Sequence, residues 1–326
     1  MEMKFPRKII AEEGSIDKIG EGTVICDLSL KEIGERVTDI SEGELILIDN
    51  IDVDILDKFD LNDSNYLIAV GGGKCIDATK YLAKKNEKKW KAFPTVLSHD
   101  GIISERAILR EKGKRISVKC KIPDEIIADL SIISSAPYRL TAAGCGDVIS
   151  NISAIEDWKI AEEDGKEKFK KFVSELSLLS YNSLIAHLNE IKNNEKDGLF
   201  VLFWSLITGG LAMNFHGSSR PCSGSEHNFS HALDELLEDK AKLHGEQVAL
   251  GTIISTYLQG KDWKMIMDNM KKIGLPCTGE EIGIEKEILI QALVNAKNIK
   301  KRYTVLNREE ITREKAEKIL KLTEII

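Results

Sequence analysis

Three of the six histidines in the chain, His227, His231 and His244, fall close together. Imidazole is the commonest side-chain ligand for a transition metal. His227 and His231 are four residues apart, so on a helix they share one face. His244 stands in LHGEQVALG, at the expected start of another helix. Two histidines and one carboxylate leave a fourth position open on zinc, which marks a catalytic site rather than a structural one. Glu226 precedes His227, so the pattern is not HExxH. The same spacing also suits core or surface histidines. On spacing, the carboxylate is open among Asp147, Glu156 and Asp157.

A second chemistry is written at Gly71-Gly72-Gly73, directly after the apolar run NYLIAV and before IDATKYLAKKN, which has helical spacing. Glycines let a phosphate approach the backbone, and a helix N-terminus offers N–H groups and a positive dipole end. Lys74 could add charge. The triplet is neither GxGxxG nor a Walker loop, and a tight turn without a ligand reads the same way. A third candidate is SHDGIISERA (98–107), in which Asp100-Gly101 signals a turn. If this loop shares a rim with the glycines, its Ser and Asp side chains could meet a ligand.

These residues need a scaffold that alternates short strands with helices. GTVICDL (22–28), ELILIDN (44–50) and NYLIAV (65–70) are strand-like. WKAFPTVLS (90–98) is extended, because Pro94 forbids a helix interior. That alternation predicts a parallel sheet covered on both faces. The stretch 105–133 reads as a hairpin turning at Lys112-Gly113-Lys114, followed by another strand. Beyond Pro137 helical periodicity dominates, with candidates at 160–198, 199–213, 228–237, 244–258 and 310–324. The expected domains are therefore 1–136, α/β and nucleotide-binding, and 137–326, all-α and carrying the metal and substrate.

Composition narrows the class. Of the 326 residues, 42% are hydrophobic and 30% charged. Such a chain is globular rather than disordered. Lys and Arg number 46 against 53 Asp and Glu, a net charge of −7, which argues against nucleic acid as a partner. The cysteines, Cys26, Cys75, Cys120, Cys145, Cys222 and Cys277, form no CxxC and read as reduced thiols. The start MEMKFPRKII lacks the apolar region of a signal peptide, so a cytoplasmic location is expected. Between Asp197 and Arg220 no Asp, Glu, Lys or Arg occurs. This segment approaches membrane-spanning length, but its Gly-Gly pair and polar second half suit a buried core helix, and no transmembrane segment is expected.

The order of motifs carries a resemblance. FPRKII is followed by GGGKCIDATKYLA, PTVLSHDGIISERA, GCGDVISNISAIEDW, SRPCSGSEHNFSHALD and LHGEQVALG. Together they resemble the archaeal sn-glycerol-1-phosphate dehydrogenases. That family is a branch of the superfamily of iron-containing alcohol dehydrogenases, glycerol dehydrogenases and dehydroquinate synthases. The resemblance implies an N-terminal Rossmann-like domain, a helical C-terminal domain and a site in the cleft between them. It implies Asp147, His227 and His244 as metal ligands. It implies that Gly73, Lys74, Cys75, Ile76 and Asp77, with Gly71 and Gly72 at their start, hold the coenzyme pyrophosphate. Thr95, Ser98 and Ser104 match further coenzyme contacts. Asp100 and His231 match catalytic and substrate-contacting positions, and the resemblance implies that Asp147 touches substrate as well as metal.

The implied reaction is reduction of dihydroxyacetone phosphate by NADH or NADPH to sn-glycerol 1-phosphate, the backbone of archaeal membrane lipids. A divalent ion, with zinc expected, would polarise the ketone, and His231 would relay the proton. Arg220 is a candidate for the substrate phosphate from its charge and its place beside the metal motif. A homo-oligomer is expected. The rivals are a glycerol dehydrogenase and a dehydroquinate synthase-like lyase. Asp49, at the end of a predicted strand, leans toward NAD by disfavouring a 2′-phosphate, whereas the resemblance implies both coenzymes.

Overall fold

The β-branched runs of the first half become strands of one sheet. The computed structural model describes residues 5–61 and 64–326. The chain divides into two units, Met1–Pro137 and Tyr138–Ile326. The first contains β1 (Lys8–Glu12), β2 (Thr23–Asp27), α1 (Lys31–Ser41), β3 (Leu45–Ile48), α2 (Val53–Leu56), β4 (Tyr66–Gly71), α3 (Gly73–Lys85), β5 (Lys89–Pro94), β6 (Arg106–Glu111), β7 (Lys114–Lys119), β8 (Glu125–Asp129) and α4 (Leu130–Ser135). Six strands pair in the order β1-β8-β5-β4-β2-β3, and every pair is parallel. A parallel sheet needs cover on both faces, and Leu67, Ile68, Ala69 and Val70 of β4 are fully buried. Val24, Cys26, Ile68, Val70, Phe93 and Ile127 pack in one cluster with Val37 of α1.

The strand order reverses between β2 and β4, because β3 lies on one side of β2 and β4 on the other. Such a reversal opens a crevice at the carboxyl ends of the two strands. Asp27 and Gly71 stand at those ends. β6 and β7 form a separate antiparallel hairpin. Its turn residues Lys112 and Gly113 both have positive φ, 50° and 76°, as a type I′ turn requires. The hairpin is fastened to α3. Asp77 accepts the Ile108 N–H at 3.0 Å, and buried Lys80 donates to Asp77, Ser104 Oγ and the Arg106 carbonyl.

The second unit contains α5 (Tyr138–Ile149), α6 (Asn151–Glu163), α7 (Lys171–Ala186), α8 (Leu188–Lys192), α9 (Lys196–His216), α10 (Ser225–Leu237), α11 (His244–Leu258), α12 (Trp263–Lys272), α13 (Lys286–Ile299) and α14 (Arg313–Leu322). The charge-free segment is α9, which packs on α7 and α8 with more than half of its most apolar stretch buried. Its other face, with Phe200 exposed and Trp204 half-buried, is left partly open. α5 is buried all round over residues 141–149, and its middle is built of small residues: Ala142, Ala143, Gly144, Cys145 and Gly146. A Cβ on Gly245 of α11 would lie 1.8 Å from the Ala143 carbonyl oxygen, and one on Gly146 would lie 2.4 Å from the Gly245 carbonyl oxygen. A Cβ on Gly251 of α11 would likewise come within 2.5 Å of the Glu226 carbonyl oxygen in α10. Three helices are thus held at backbone contact. All six cysteines are buried thiols.

Candidate functional site

Those three helices carry the candidate ligands to one place. Asp147 comes from the last turns of α5, His227 from the first turn of α10, and His244 opens α11. One ligand atom from each lies within 4.8 Å of the others. His227 Nε2 and His244 Nε2 stand 3.5 and 3.6 Å from Asp147 Oδ1. Bonds of about 2.1 Å at tetrahedral angles set ligand atoms about 3.4 Å apart, so the trio suits a small divalent ion. The electrostatics agree. Burial opposes an imidazolium at His227, yet Asp147 and Glu226 outweigh it and carry its pKa up to about 9. The pocket therefore favours positive charge at the position a metal ion would take.

Glu226 is what orients His227. Its Oε1 accepts from His227 Nδ1 at 2.8 Å, which leaves Nε2 for a metal. Glu226 is fully buried and also accepts from the Gly224 N–H and Ser153 Oγ. Burial opposes its charge, but His227, the Gly224 N–H and Ser153 hold its pKa below the usual carboxylate range. Read from the sequence, Glu226 excludes HExxH and is given no role in holding His227. Adjacent residues on a helix do not face each other, and Glu226 reaches His227 because it folds back over the helix start to cap Gly224.

His231 lies beside the trio, with its ring centroid 6.3 Å from His227 and 6.0 Å from His244. Its Nδ1 is 3.4 Å from Asp234 Oδ2 and its Nε2 is 3.0 Å from Lys300 Nζ. Burial, with Lys300 and His227, pushes its pKa down to about 4 against the pull of Asp234. The ring is therefore neutral near pH 7, with Nδ1–H donated to Asp234 and the Nε2 lone pair facing Lys300. Gln247 of α11 braces the arrangement by donating to the Ser230 carbonyl and to Asp234.

Arg220, the expected phosphate contact, is 1% exposed; its Nε lies 3.1 Å from Glu167 Oε2 and its Nη2 donates to the Asp157 carbonyl at 2.9 Å, while Nη1 has no hydrogen-bond partner among the described residues. Asp157, one of the carboxylates open on spacing, is buried as well. It accepts the Ser225 N–H and the Val305 N–H. Burial and then repulsion from Glu226 raise its pKa to about 6. Arg302 donates to the Ser223 carbonyl and to Ser219 Oγ, which ties the segment after α13 to the entry of α10. Glu156, the other open carboxylate, pairs with Lys159 and Lys261.

In the first unit, Gly71, Gly72 and Gly73 turn from β4 into α3. Gly71 has φ 153°, a conformation natural to glycine. A Cβ on Gly73 would meet His99 Nε2 at 2.1 Å, so the imidazole occupies that side-chain space. Among the described residues no side chain caps the N-terminus of α3, which leaves it suited to an anion. Thr95 N donates to the Gly71 carbonyl at 3.3 Å, while Thr95 Oγ1 is buried without a hydrogen-bond partner among the described residues. Ser98, His99 and Asp100 follow in the half-buried loop after β5. Lys74 is half-exposed, 3.7 Å from Asp27 and 3.4 Å from the carbonyl of exposed Asp49. Cys75 and Ile76 are buried, and Cys75 Sγ reaches the Ile25 carbonyl. The side chains of Asp77 and Ser104, both expected at the coenzyme, also fasten the hairpin.

Known proteins share this arrangement of elements. Residues 9–137 match the iron-containing alcohol dehydrogenase family model. Among curated relatives, glycerol-1-phosphate dehydrogenase, NAD(P)+, of Pyrococcus horikoshii is 41% identical, and the match covers 99% of each chain. The Methanosphaera stadtmanae protein of the same name is 39% identical over 99% of this chain and 98% of its own. Among solved structures, a probable glycerol dehydrogenase from Sinorhizobium meliloti superposes with a TM-score of 0.77 at 19% identity, covering 99% of this chain and 98% of that one. At that identity the likeness speaks to the fold, a parallel α/β unit followed by a helical one.

Proposed function

Because the chain belongs to the glycerol-1-phosphate dehydrogenase family within the iron-containing alcohol dehydrogenases, we propose that it reduces dihydroxyacetone phosphate to sn-glycerol 1-phosphate with NADH or NADPH. The product would serve as the glycerophosphate backbone of membrane lipids. The observation that carries the reading is the Asp147–His227–His244 trio, with the neutral imidazole of His231 beside it.

A divalent ion held by the trio supplies Lewis-acid polarisation of the ketone. We assign zinc, since two imidazoles and one carboxylate suit it and leave a place for substrate. The coenzyme supplies the hydride. The backbone N–H groups at Gly71–Gly73 and the start of α3 take its pyrophosphate, with the buried Thr95 hydroxyl as a further donor. Glu226 holds His227 in the Nε2-ligating tautomer. His231, anchored on Asp234 through Nδ1–H, would relay the proton by taking one up at Nε2, the atom that faces the Lys300 ammonium, and passing it to the product oxygen. Asp100 meets the substrate from the loop after β5. The buried thiols support work in a reducing cytoplasm.

The test mixes protein, zinc and NADH or NADPH with dihydroxyacetone or its phosphate, and assigns the product with enantiospecific coupling enzymes. Coenzyme oxidation that needs the phosphate and yields the sn-1 product supports the reading. Equal efficiency on both ketones would select a glycerol dehydrogenase.

A further inference from the structure

The glycine turn that opens α3 is backed by the loop after β5, within the same unit. The Thr95 N–H donates to the Gly71 carbonyl, a Cβ on Gly72 would lie 3.1 Å from Val96 Cγ2, and one on Gly73 would lie 2.1 Å from His99 Nε2. The loop therefore follows the turn glycine by glycine. The same imidazole also fills the space over Gly101, where a Cβ would lie 2.2 Å from His99 Cε1 and 2.5 Å from Nδ1. The Gly101 N–H donates to Nδ1 at 2.9 Å, which fixes the rotation of the ring and makes Nδ1 the acceptor. Leu97, Ile102 and Ile103 root the loop in the core, while Gly73, His99 and Asp100 stay half-buried at the surface of the site. Asp100 follows the ring directly and opens a single 3₁₀ turn, Asp100–Ile102.

We propose that His99 is a positioning residue whose imidazole, wedged between Gly73 and Gly101, holds the coenzyme turn and the Asp100 loop as one piece; this rests on the proposed dehydrogenase activity. Three glycines in a row have wide conformational freedom, so their N–H groups converge on a pyrophosphate only if neighbours hold them. The ring supplies that support at Gly73 without a side chain there. Donors ordered in advance bind more tightly, because the cost of ordering them is not met on binding. The same ring sets the start of the turn that carries Asp100, so a shift of the imidazole would disturb the coenzyme and substrate contacts together. Both glycines are required for this fit, since a methyl group at either would occupy the place of the ring.

The experiment titrates metal-loaded wild type, His99→Ala, His99→Asn and His99→Gln with NADH, followed by fluorescence, and then measures kcat/KM for dihydroxyacetone phosphate. The two amides divide the contacts of the ring. Asparagine can replace Nδ1 at the Gly101 N–H, and glutamine can reach the place of Nε2 over Gly73. His99→Ala should weaken NADH binding about 10-fold and lower kcat/KM about 100-fold, with metal content unchanged. His99→Gln should recover more of the NADH affinity than His99→Asn. If the alanine variant melts, the two amides carry the comparison alone. An unchanged NADH Kd in the folded variants overturns the proposal, whether or not Tm falls. Affinity restored by asparagine but not by glutamine overturns it too, and leaves the ring a partner of Gly101 alone. A wild type that binds neither NADH nor NADPH would instead refute the underlying function, and the same titration distinguishes the two failures.

Discussion

Replacing Gly245 by alanine should cost the protein its metal while leaving most of its fold. The new Cβ would fall 1.8 Å from the Ala143 carbonyl oxygen, 2.5 Å from its carbonyl carbon and 2.9 Å from its Cα. All three are backbone atoms of α5, so no rotamer change relieves the clash. Ordinary contact begins at 3.4 Å, so α5 and α11 must part locally to close the gap between that distance and 1.8 Å. Asp147 sits one turn beyond Ala143 on α5, and His244 is the residue before Gly245. Their ligand atoms, 3.6 Å apart, would separate with the helices. Metal–ligand distances tolerate only about ±0.2 Å, so even a fraction of the displacement breaks the geometry. Overpacking of this kind costs about 1–3 kcal/mol, a fall in Tm of roughly 2–12 °C in a unit of this size. Metal affinity should fall by more than the ~10–100-fold typical of losing an outer-shell partner. Chelator-competition titration gives the affinity, and thermal melts of the metal-free forms give the stability. A Gly245→Ala variant that binds metal as wild type does would refute the argument that these glycines set the ligand spacing.

His227→Ala and His244→Ala should each abolish metal retention with the helical circular dichroism preserved, because two ligands are too few to hold the ion; wild-type metal content in either removes that residue from the site. EDTA should inactivate the native enzyme and zinc restore it. His231→Ala should keep its metal and lose about 10²–10⁴-fold in kcat if His231 relays the proton, and a normal kcat would make it structural. His216, stacked edge-on against Trp158 with ring centroids 4.7 Å apart, has its pKa pushed down to about 4 by burial and then by Lys170, Arg302 and Arg220. Between pH 4 and 6.5 the unfolded chain binds the proton and the folded one does not, so stability rises with pH across that window. Denaturant melts of His216→Gln should show a shallower slope there, and parallel slopes would count against the assignment.

The sheet is legible because its central strands are continuous apolar runs bounded by turn residues. NYLIAV with its glycine triplet and the Lys112-Gly113 turn each carry a local signal that survives in the fold. β1 escapes a reading by pattern, since its residues are mostly half-buried at the sheet edge and lack a strong alternation. α5 escapes it because a helix of small, uniformly buried residues shows no amphipathic stripe. The histidines can be found by spacing, but the choice of Asp147 cannot. Its place beside them depends on Gly146 and Gly245 letting two helices touch, a contact between residues far apart in the chain. Arg220 shows the converse: its charge is visible in the sequence, but its burial and its pairing with Glu167 on a distant segment are not.

The strap at 302–305 has a consequence for how the protein is made. Domains emerge from the ribosome and fold in order, the N-terminal one first. The first unit closes when β8 slots between β1 and β5, so it can be finished while the helical unit is still being translated. The three candidate ligands have all been synthesised once the chain reaches His244. The nascent chain at that point still lacks Arg302, which grips the entry to α10, and the Val305 N–H, which Asp157 accepts. Asp157 and Glu226 must then be buried side by side without that support. A segment that contributes no candidate ligand thus completes the support of these buried carboxylates only after all three candidate ligands have been made.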